Sequence, residues 1–201
     1  MTRIGVLISG RGTNLQALID AQKRGDFDGQ IAIVISNKSK AEGLKRADRA
    51  GIKTRIITKK DYPVREEHDR AVIQVLKEHD VNLVVLAGYM RILSPFFCQE
   101  YKHRMINVHP SLLPAFKGVK AQWQAVEYGV KVSGCTTHFV EPDVDAGAII
   151  LQTPVKVRQN DTGETLAARI LPEEHRILVE SVKLFCADQL TVDGRIVKIK
   201  E

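Results

Sequence analysis

Just past the middle of the chain the sequence reads Ile106-Asn107-Val108-His109-Pro110-Ser111-Leu112-Leu113-Pro114. Its apolar positions indicate the end of a buried strand, and Pro110 should end that strand because proline has no N–H for the ladder. Side chains alternate across a strand, so Asn107 and His109 are expected to share one face. This spacing is typical of a polar site, but equally of a buried histidine beside a turn, and the stretch alone favours neither.

Upstream of this stretch, apolar runs alternate with helical patterns, which predicts an α/β fold with a mostly parallel, twisted, Rossmann-like sheet. The expected strands are residues 4–8, 31–36, 54–58, 81–87 and 105–108, and the helices between them include 41–50, 65–78 and 95–101. Ligands bind such sheets outside the carboxyl ends of the strands. The loops 9–14, 88–93 and 109–114 should therefore meet in one crevice, which favours a functional role for Asn107 and His109.

The first strand leads into a glycine-rich turn, Ser9-Gly10-Arg11-Gly12-Thr13-Asn14, and then into a helical pattern. The free N–H groups at the start of such a helix bind anions, phosphate in particular. The turn lacks the third glycine of a dinucleotide site and the Gly-Lys-Ser/Thr of a P-loop, which argues against a nicotinamide cofactor. A tight turn without a ligand is the alternative.

The second half of the chain predicts antiparallel strands added to the sheet, at 130–134, 135–140 and 148–157, with Asp145 in the acidic turn before the last of these. Asp161 followed by Glu164 resembles a capping box that opens a long last helix to about residue 187. Pro172 is expected to kink or interrupt that helix. An Asp-Gly pair at 193–194 predicts a terminal hairpin, and residues 1–201 are expected to form a single domain.

The polar residues favour carbonyl chemistry. An asparagine amide can donate to a developing oxyanion, and a histidine can stabilise it or move protons near neutral pH. A carboxylate such as Asp145 close to His109 would raise its pKa, although Asp145 also suits a turn. There is no G-x-S-x-G motif, and the six histidines lack metal-ligand spacing, so no metal is expected. Direct attack of a substrate nucleophile on a carbonyl carbon fits best.

Composition limits the class of partner. The formal net charge is +6, but the basic residues are spread out, and four Tyr, six Phe and one Trp give no basic-aromatic pattern for nucleic acid. A basic anion-binding or nucleic-acid-binding module remains the alternative of a different class. No apolar run approaches the roughly 18 residues of a membrane span. Three scattered cysteines suggest a reduced, cytoplasmic setting.

Taken together, segments 4–16, 86–94, 107–114, 136–140 and 143–147, with Glu174-His175 near the end, resemble the folate-dependent phosphoribosylglycinamide formyltransferases. The resemblance implies the formyltransferase fold and 10-formyltetrahydrofolate as cosubstrate. It implies transfer of the formyl group to glycinamide ribonucleotide in purine synthesis. The implied partners are these small molecules, with neither nucleic acid nor membrane, and the protein would be a monomer or homodimer.

The same resemblance implies roles for single residues. Asn107 would bind the formyl oxygen, His109 would act as the acid, Asp145 would raise the pKa of His109, and His138 would support them. The ribonucleotide would contact Gly12, Thr13, Asn14 and Glu174. The folate would contact Arg65, Met90, Arg91, Ile92, Leu93 and Asn107.

Two related enzymes share parts of these motifs: methionyl-tRNA formyltransferase and formyltetrahydrofolate hydrolase. The first is expected to carry a further C-terminal domain and the second an N-terminal regulatory domain. The turn at residues 9–14 favours a nucleotide substrate over both.

Overall fold

Nine strands form one sheet in the computed structural model, which describes residues 1–200. In spatial order the sheet is β3-β2-β1-β4-β5-β6-β7-β9-β8. The strands are β1 Thr2–Ile8, β2 Gly29–Ser36, β3 Thr54–Ile56, β4 Leu83–Leu86, β5 Met105–His109, β6 Val132–Phe139, β7 Ile149–Lys156, β8 Leu190–Asp193 and β9 Ile196–Ile199.

The first five strands are parallel, as predicted. The chain runs outward from β1 to β3 and then returns to place β4 on the other side of β1. The order therefore reverses between β1 and β4, the position at which open α/β sheets bind ligands. The helices are α1 Thr13–Arg24, α2 Glu42–Arg49, α3 Arg65–Glu78, α4 Pro95–Glu100, α5 Ala121–Tyr128 and α6 Gly163–Cys186.

The remaining strands extend the sheet. β6 pairs antiparallel with both β5 and β7, which confirms the predicted antiparallel addition. The segments 130–134 and 135–140, expected as separate strands, form the single strand β6, because the chain stays extended through Gly134. β8 and β9 form the predicted hairpin.

Apolar side chains fill both faces of the sheet. One cluster joins β1 and β4 to α1, α2 and α6 through residues such as Val6, Leu18 and Leu178. The other joins them to α3 and α4 through Leu7, Val72 and Phe97. Burial on both faces explains the uninterrupted apolar runs of the parallel strands. Within residues 1–200, no helix has the length and apolar character to cross a membrane.

The last helix differs from the prediction in its capping box and in its continuity through Pro172, where a kink or an interruption was expected. The capping box is formed by Thr162 and Thr165, not by Asp161 and Glu164, because Thr162 is the residue directly before the helix. Pro172 does not interrupt α6, which continues to Cys186. Pro172 and Ala168, whose carbonyl loses its N–H partner, are both exposed. Water can therefore satisfy that carbonyl, and the helix tolerates the proline.

Candidate active site

A cavity of about 370 Å³ lies at the carboxyl ends of β4 and β5. Its walls are the loop after β4, the end of β5, the loop before α5 and the turn between β6 and β7, which comprise residues 86, 88–93, 107–110, 118–120, 138 and 140–145. Two of the three loops expected to meet thus line it. The third, 9–14, adjoins it through Ser9, whose hydroxyl accepts the N–H of Met90 over 2.7 Å.

The central polar residues come from two paired strands. Asn107 and His109 both line the cavity, as expected for alternate residues of β5. His138 lies directly opposite Asn107 on β6. The Asn107 amide donates to Nε2 of His138 over 3.1 Å, and His138 Nδ1 donates to the Phe139 carbonyl over 2.8 Å. In this pairing Nδ1 of His138 is the donor and Nε2 the acceptor.

Asp145 joins this pair from the turn after β6. Its carboxylate oxygens lie 3.2 Å from Nδ1 of His109 and 3.7 Å from Nε2 of His138. It also accepts the N–H of Gly118 over 2.8 Å. The backbone of Asp145 is left-handed, with φ of 48°, a conformation that aspartate tolerates better than most residues. The strained turn therefore presents the carboxylate to both histidines.

Burial and contacts compete at Asp145. Burial raises the pKa of its carboxyl group, but the contacts with His138, the Gly118 N–H and His109 together lower that pKa below its ordinary value of 3.8. Asp145 is consequently an anion at neutral pH. It provides a fixed negative charge beside His109.

His109 has partners at both ring nitrogens. Nε2 donates to the carbonyl oxygen of Phe116 over 2.8 Å, since a carbonyl can only accept, and Nδ1 faces Asp145. Burial lowers the pKa of His109, the Phe116 carbonyl and Asp145 raise it, and His138 lowers it. Asp145 acts in the predicted direction. The net pKa is nevertheless below the ordinary 6.5, because the loss of water around the charged ring outweighs the contacts that raise it.

The glycine-rich turn leads into α1 as predicted. Gly12 precedes the helix with φ of 71°, and no side chain caps the helix start. A Cβ at Gly12 would lie 2.5 Å from the Cα of Gly43, so only glycine fits between the turn and α2. The first N–H groups of α1 have no partner within the helix, and Thr13 there is partly exposed. This start suits an anion.

The structure brings two of the predicted ribonucleotide residues together. The buried Asn14 side chain donates to Oε2 of Glu174 over 3.2 Å, although 160 positions separate them in the chain. Burial raises the pKa of Glu174, while the Asn14 hydrogen bond and the charge of Arg11 lower it, and the net direction is upward. Pro172 thus does not prevent Glu174 from reaching the glycine-rich turn.

The predicted folate residues divide into two groups. Met90, Arg91, Ile92 and Leu93 line the cavity, and the side chains of Met90 and Ile92 are exposed at it. Arg65, the first residue of α3, is exposed and does not contribute to the cavity wall.

Several residues at the site were not singled out from the sequence. Phe116 and Gly118 bind His109 and Asp145 through backbone atoms, which leave no trace in the residue type. Ser9 links Met90 to Asn37, since its hydroxyl donates to Asn37 Oδ1 over 2.6 Å. A serine at the end of the first strand could have been suspected, because the turn after it was already a candidate. Residues 1–200 hold no group of three or more His, Cys, Asp or Glu side chains placed to bind a metal.

The amino-acid sequence is similar to those of known proteins over nearly the whole chain. Residues 2–182 match the family described as formyl transferase. The chain is 42% identical over 193 residues to a phosphoribosylglycinamide formyltransferase of Escherichia coli, a match that covers 96% of this chain and 88% of that protein. It is 51% identical over 201 residues to the human trifunctional purine biosynthetic protein adenosine-3, with 99% of this chain covered. The chain spans only 20% of that human relative.

A solved structure gives the same picture. The crystal structure of glycinamide ribonucleotide transformylase 1 from Symbiobacterium toebii superposes with a TM-score of 0.98 at 50% sequence identity. The match covers 100% of this chain and 95% of that one. The arrangement of strands and helices described above is therefore that of a known fold.

Proposed function

The chain belongs to the formyl transferase family, and from this we propose that it moves the formyl group of 10-formyltetrahydrofolate onto the amine of N1-(5-phospho-D-ribosyl)glycinamide. The products are N-formylglycinamide ribonucleotide and tetrahydrofolate, a step of purine synthesis. The observation that carries the proposal is the meeting of Asn107, His109 and Asp145 in one cavity. Both substrates are small molecules, and we place the reaction in a single domain in the cytoplasm.

The reaction begins with attack of the glycinamide amine on the formyl carbon. A C–N bond forms while the carbonyl electron pair moves to oxygen, which becomes an oxyanion. Asn107 has a second amide N–H besides the one given to His138, and that N–H is available to the oxyanion. Such preorganised donors stabilise the transition state more than the ground state.

His109 supplies the second donor. Its Nε2–H is held by the Phe116 carbonyl in this structure, so the segment around Phe116 must release it before it can bind the oxyanion. Asp145, at the opposite nitrogen, favours the imidazolium form that develops as negative charge builds up on the oxygen. Because the pKa of His109 is lowered in the protein without substrate, the charge of Asp145 is important for stabilising the imidazolium.

Proton transfer completes the reaction. The attacking amine loses one proton, the bond between the formyl carbon and the folate nitrogen breaks, and that nitrogen gains one proton. We infer that the proton moves through water held near Asp145 and His109, because the two groups lie side by side and can exchange a proton with it.

The substrates occupy different parts of the site: the folate lies in the cavity, and the ribonucleotide lies at the adjoining glycine-rich turn. The ribonucleotide phosphate fits the start of α1 at Gly12, Thr13 and Asn14, and Glu174 beside Asn14 provides a further contact. The folate ring fits the cavity beside residues 90–93 and Asn107. Arg65, which is exposed, would reach only the outer, anionic end of the folate.

The test uses the purified chain with both substrates, with deformylation of the folate followed by absorbance and products identified by mass spectrometry. We expect formylated ribonucleotide to appear in step with deformylation, and little turnover without the ribonucleotide. Release of formate without the ribonucleotide would instead identify a hydrolase. Salt-sensitive binding of oligonucleotides without formyl transfer would identify an anion-binding module.

A variant pair links the activity to the site. Asn107→Ala should lower turnover on the order of a hundredfold or more, because one oxyanion donor is lost. Asn160→Ala, which removes the same group from an exposed position in the connection before α6, should retain normal turnover. Near-normal turnover of Asn107→Ala would rule out its assigned role.

A further inference from the structure

A buried carboxylate on α3 holds the end of the loop that lines the cavity. Asp69 is fully buried, and its Oδ2 accepts the backbone N–H of Ser94 over 2.6 Å. Ser94 directly follows the cavity-lining residues 88–93, and its hydroxyl caps α4 by accepting the N–H of Phe97. One side chain of α3 therefore fixes the point at which this loop becomes a helix.

The surroundings of Asp69 are poorly satisfied. Within residues 1–200, Asp69 Oδ1 has no hydrogen-bond partner, nor does Nδ1 of His68, 3.6 Å from it. The buried Tyr89 hydroxyl and Arg91 Nε, both in the loop, also lack partners there. Burying each such polar group without a partner costs free energy of folding. An apolar residue in place of Asp69 would avoid the part of this cost that comes from the carboxylate. Packing alone does not account for a carboxylate at this position.

Charge explains why a carboxylate is useful there. Burial raises the pKa of Tyr89, while the charge of Arg91 lowers it and that of Asp69 raises it. Both charges thus lie close enough to act on the same hydroxyl group. Asp69 places a negative charge beneath a loop whose own charged side chain, Arg91, is positive.

The loop has a second attachment with which Asp69 can be compared. Near its beginning, the N–H of Met90 is bound by Ser9, which adjoins the glycine-rich turn proposed for the ribonucleotide. Its far end is bound by Asp69, away from that turn. Loss of the Asp69 attachment should therefore disturb the folate wall more than the ribonucleotide site.

We propose that Asp69 is a positioning residue for the folate: it holds residues 90–93 in the geometry that binds 10-formyltetrahydrofolate through its bond to Ser94. This proposal rests on the proposed function. Asp69 does not line the cavity and does not take part in the chemistry. It acts by keeping the backbone of the loop in place before the cosubstrate arrives.

Steady-state kinetics of three variants test the proposal. Asp69→Ala should raise the KM for the folate about 10- to 100-fold, the worth of a buried hydrogen bond to a charged group, with the KM for the ribonucleotide within about twofold. Asp69→Asn keeps an acceptor for Ser94 and should raise the folate KM by only about three- to tenfold. Glu67→Gln, an exposed carboxylate on the same helix, should change neither constant.

A second measurement covers the case in which Asp69→Ala does not fold. Amide hydrogen exchange in Asp69→Asn should be faster at Ser94 and residues 90–93 than in the unmodified protein, with exchange in β1 unchanged. An unchanged folate KM in Asp69→Asn together with unchanged exchange would overturn the proposal. So would an equal rise in both KM values. If the unmodified protein fails to transfer formyl groups, the proposed function fails instead, and the two failures are distinct.

Discussion

Asn107 and His138 lie directly opposite each other on β5 and β6, and the Asn107 amide donates to Nε2 of His138 over 3.1 Å. His138 Nδ1 donates to the Phe139 carbonyl, and its Nε2 accepts the Asn107 N–H. The imidazole therefore fixes which end of the Asn107 amide turns towards the strand pair. The remaining amide N–H is left in a single orientation towards the cavity.

The first prediction concerns this contact. His138→Leu removes the acceptor, so the Asn107 amide can rotate. Turnover should then fall about 10- to 100-fold, a loss that approaches the one expected when an oxyanion donor is removed altogether. His138→Gln can still accept the Asn107 N–H and should recover part of the loss. Turnover and both KM values of the two variants give the measurement. Equal activity of the two variants would contradict a positioning role for His138.

The second prediction is the pH behaviour of His109. Its pKa in the free protein should lie below 6.5, because burial outweighs the attraction of Asp145. Asp145→Asn removes a group that raises this pKa, so the pKa should fall further.

The measurement is the NMR titration of the His109 ring in the unmodified protein and in Asp145→Asn. Asp143→Asn is the matched control, since it removes an exposed carboxylate from the same turn and should leave the midpoint in place. A rise in the pKa of His109 in Asp145→Asn would show that the carboxylate does not act on the ring as the 3.2 Å distance implies.

The central strands of the sheet could be predicted because they are buried on both faces. Runs such as 31–36 and 81–87 stand out from the helices between them. The antiparallel pairing of β6 with β7 was signalled by the acidic turn at residues 141–147 that joins them. Of the two effects expected of Pro172, a kink or an interruption, the interruption does not occur, because the cost of a proline within a helix depends on solvent. On an exposed helix face water satisfies the free carbonyl, and that exposure is a tertiary property.

The site could be predicted only as far as side chains identify it. Asn107 and His109 were placed together by their spacing, and the carboxylate of Asp145 by the need for a charge partner. The sign of the His109 pKa shift was not predictable, because it depends on how deeply the ring is buried. The Phe116 carbonyl and the Gly118 N–H belong to the backbone and were not visible in the sequence either.

The third prediction addresses the ribonucleotide. Thr13→Asp should raise the KM for the ribonucleotide at least tenfold and leave the KM for the folate nearly unchanged, because it puts a negative charge where the phosphate should bind. An acidic residue at a helix start stabilises the helix, so the melting temperature should not fall. Thr13→Val, without the charge, is the control. Equal weakening of both substrates would count against a phosphate site at the start of α1.

The fourth prediction separates the two arginines expected to bind folate. Arg65 is exposed, so Arg65→Gln should raise the folate KM by no more than about fivefold, the worth of a surface ion pair. This effect should disappear in high salt, which screens exposed charges. Arg91 lies in the cavity wall, and the rise in folate KM caused by Arg91→Gln should persist in salt. A salt-independent effect of Arg65→Gln would place Arg65 inside the folate site.

The fifth prediction concerns Pro172, the exposed proline within α6. Inside a helix, alanine is more favourable than proline by about 3 kcal/mol in the free energy of folding. Alanine also gives the unfolded chain more freedom, which reduces this gain in stability by up to about 1 kcal/mol. Pro172→Ala should therefore stabilise the protein by about 2 kcal/mol and raise the melting temperature by roughly 4–8 °C in calorimetry. Pro63→Ala, in an exposed loop outside any helix, should instead be neutral or slightly destabilising.

The same variant tests how Glu174 is placed. Two residues after Pro172, Glu174 already accepts the Asn14 side chain within a continuous helix. The ribonucleotide KM of Pro172→Ala should therefore stay within about twofold, since the worth of the Asn14 contact, about 1–3 kcal/mol, is retained. A rise of tenfold or more, without a loss of stability, would mean that a proline-induced bend aims Glu174 at the glycine-rich turn.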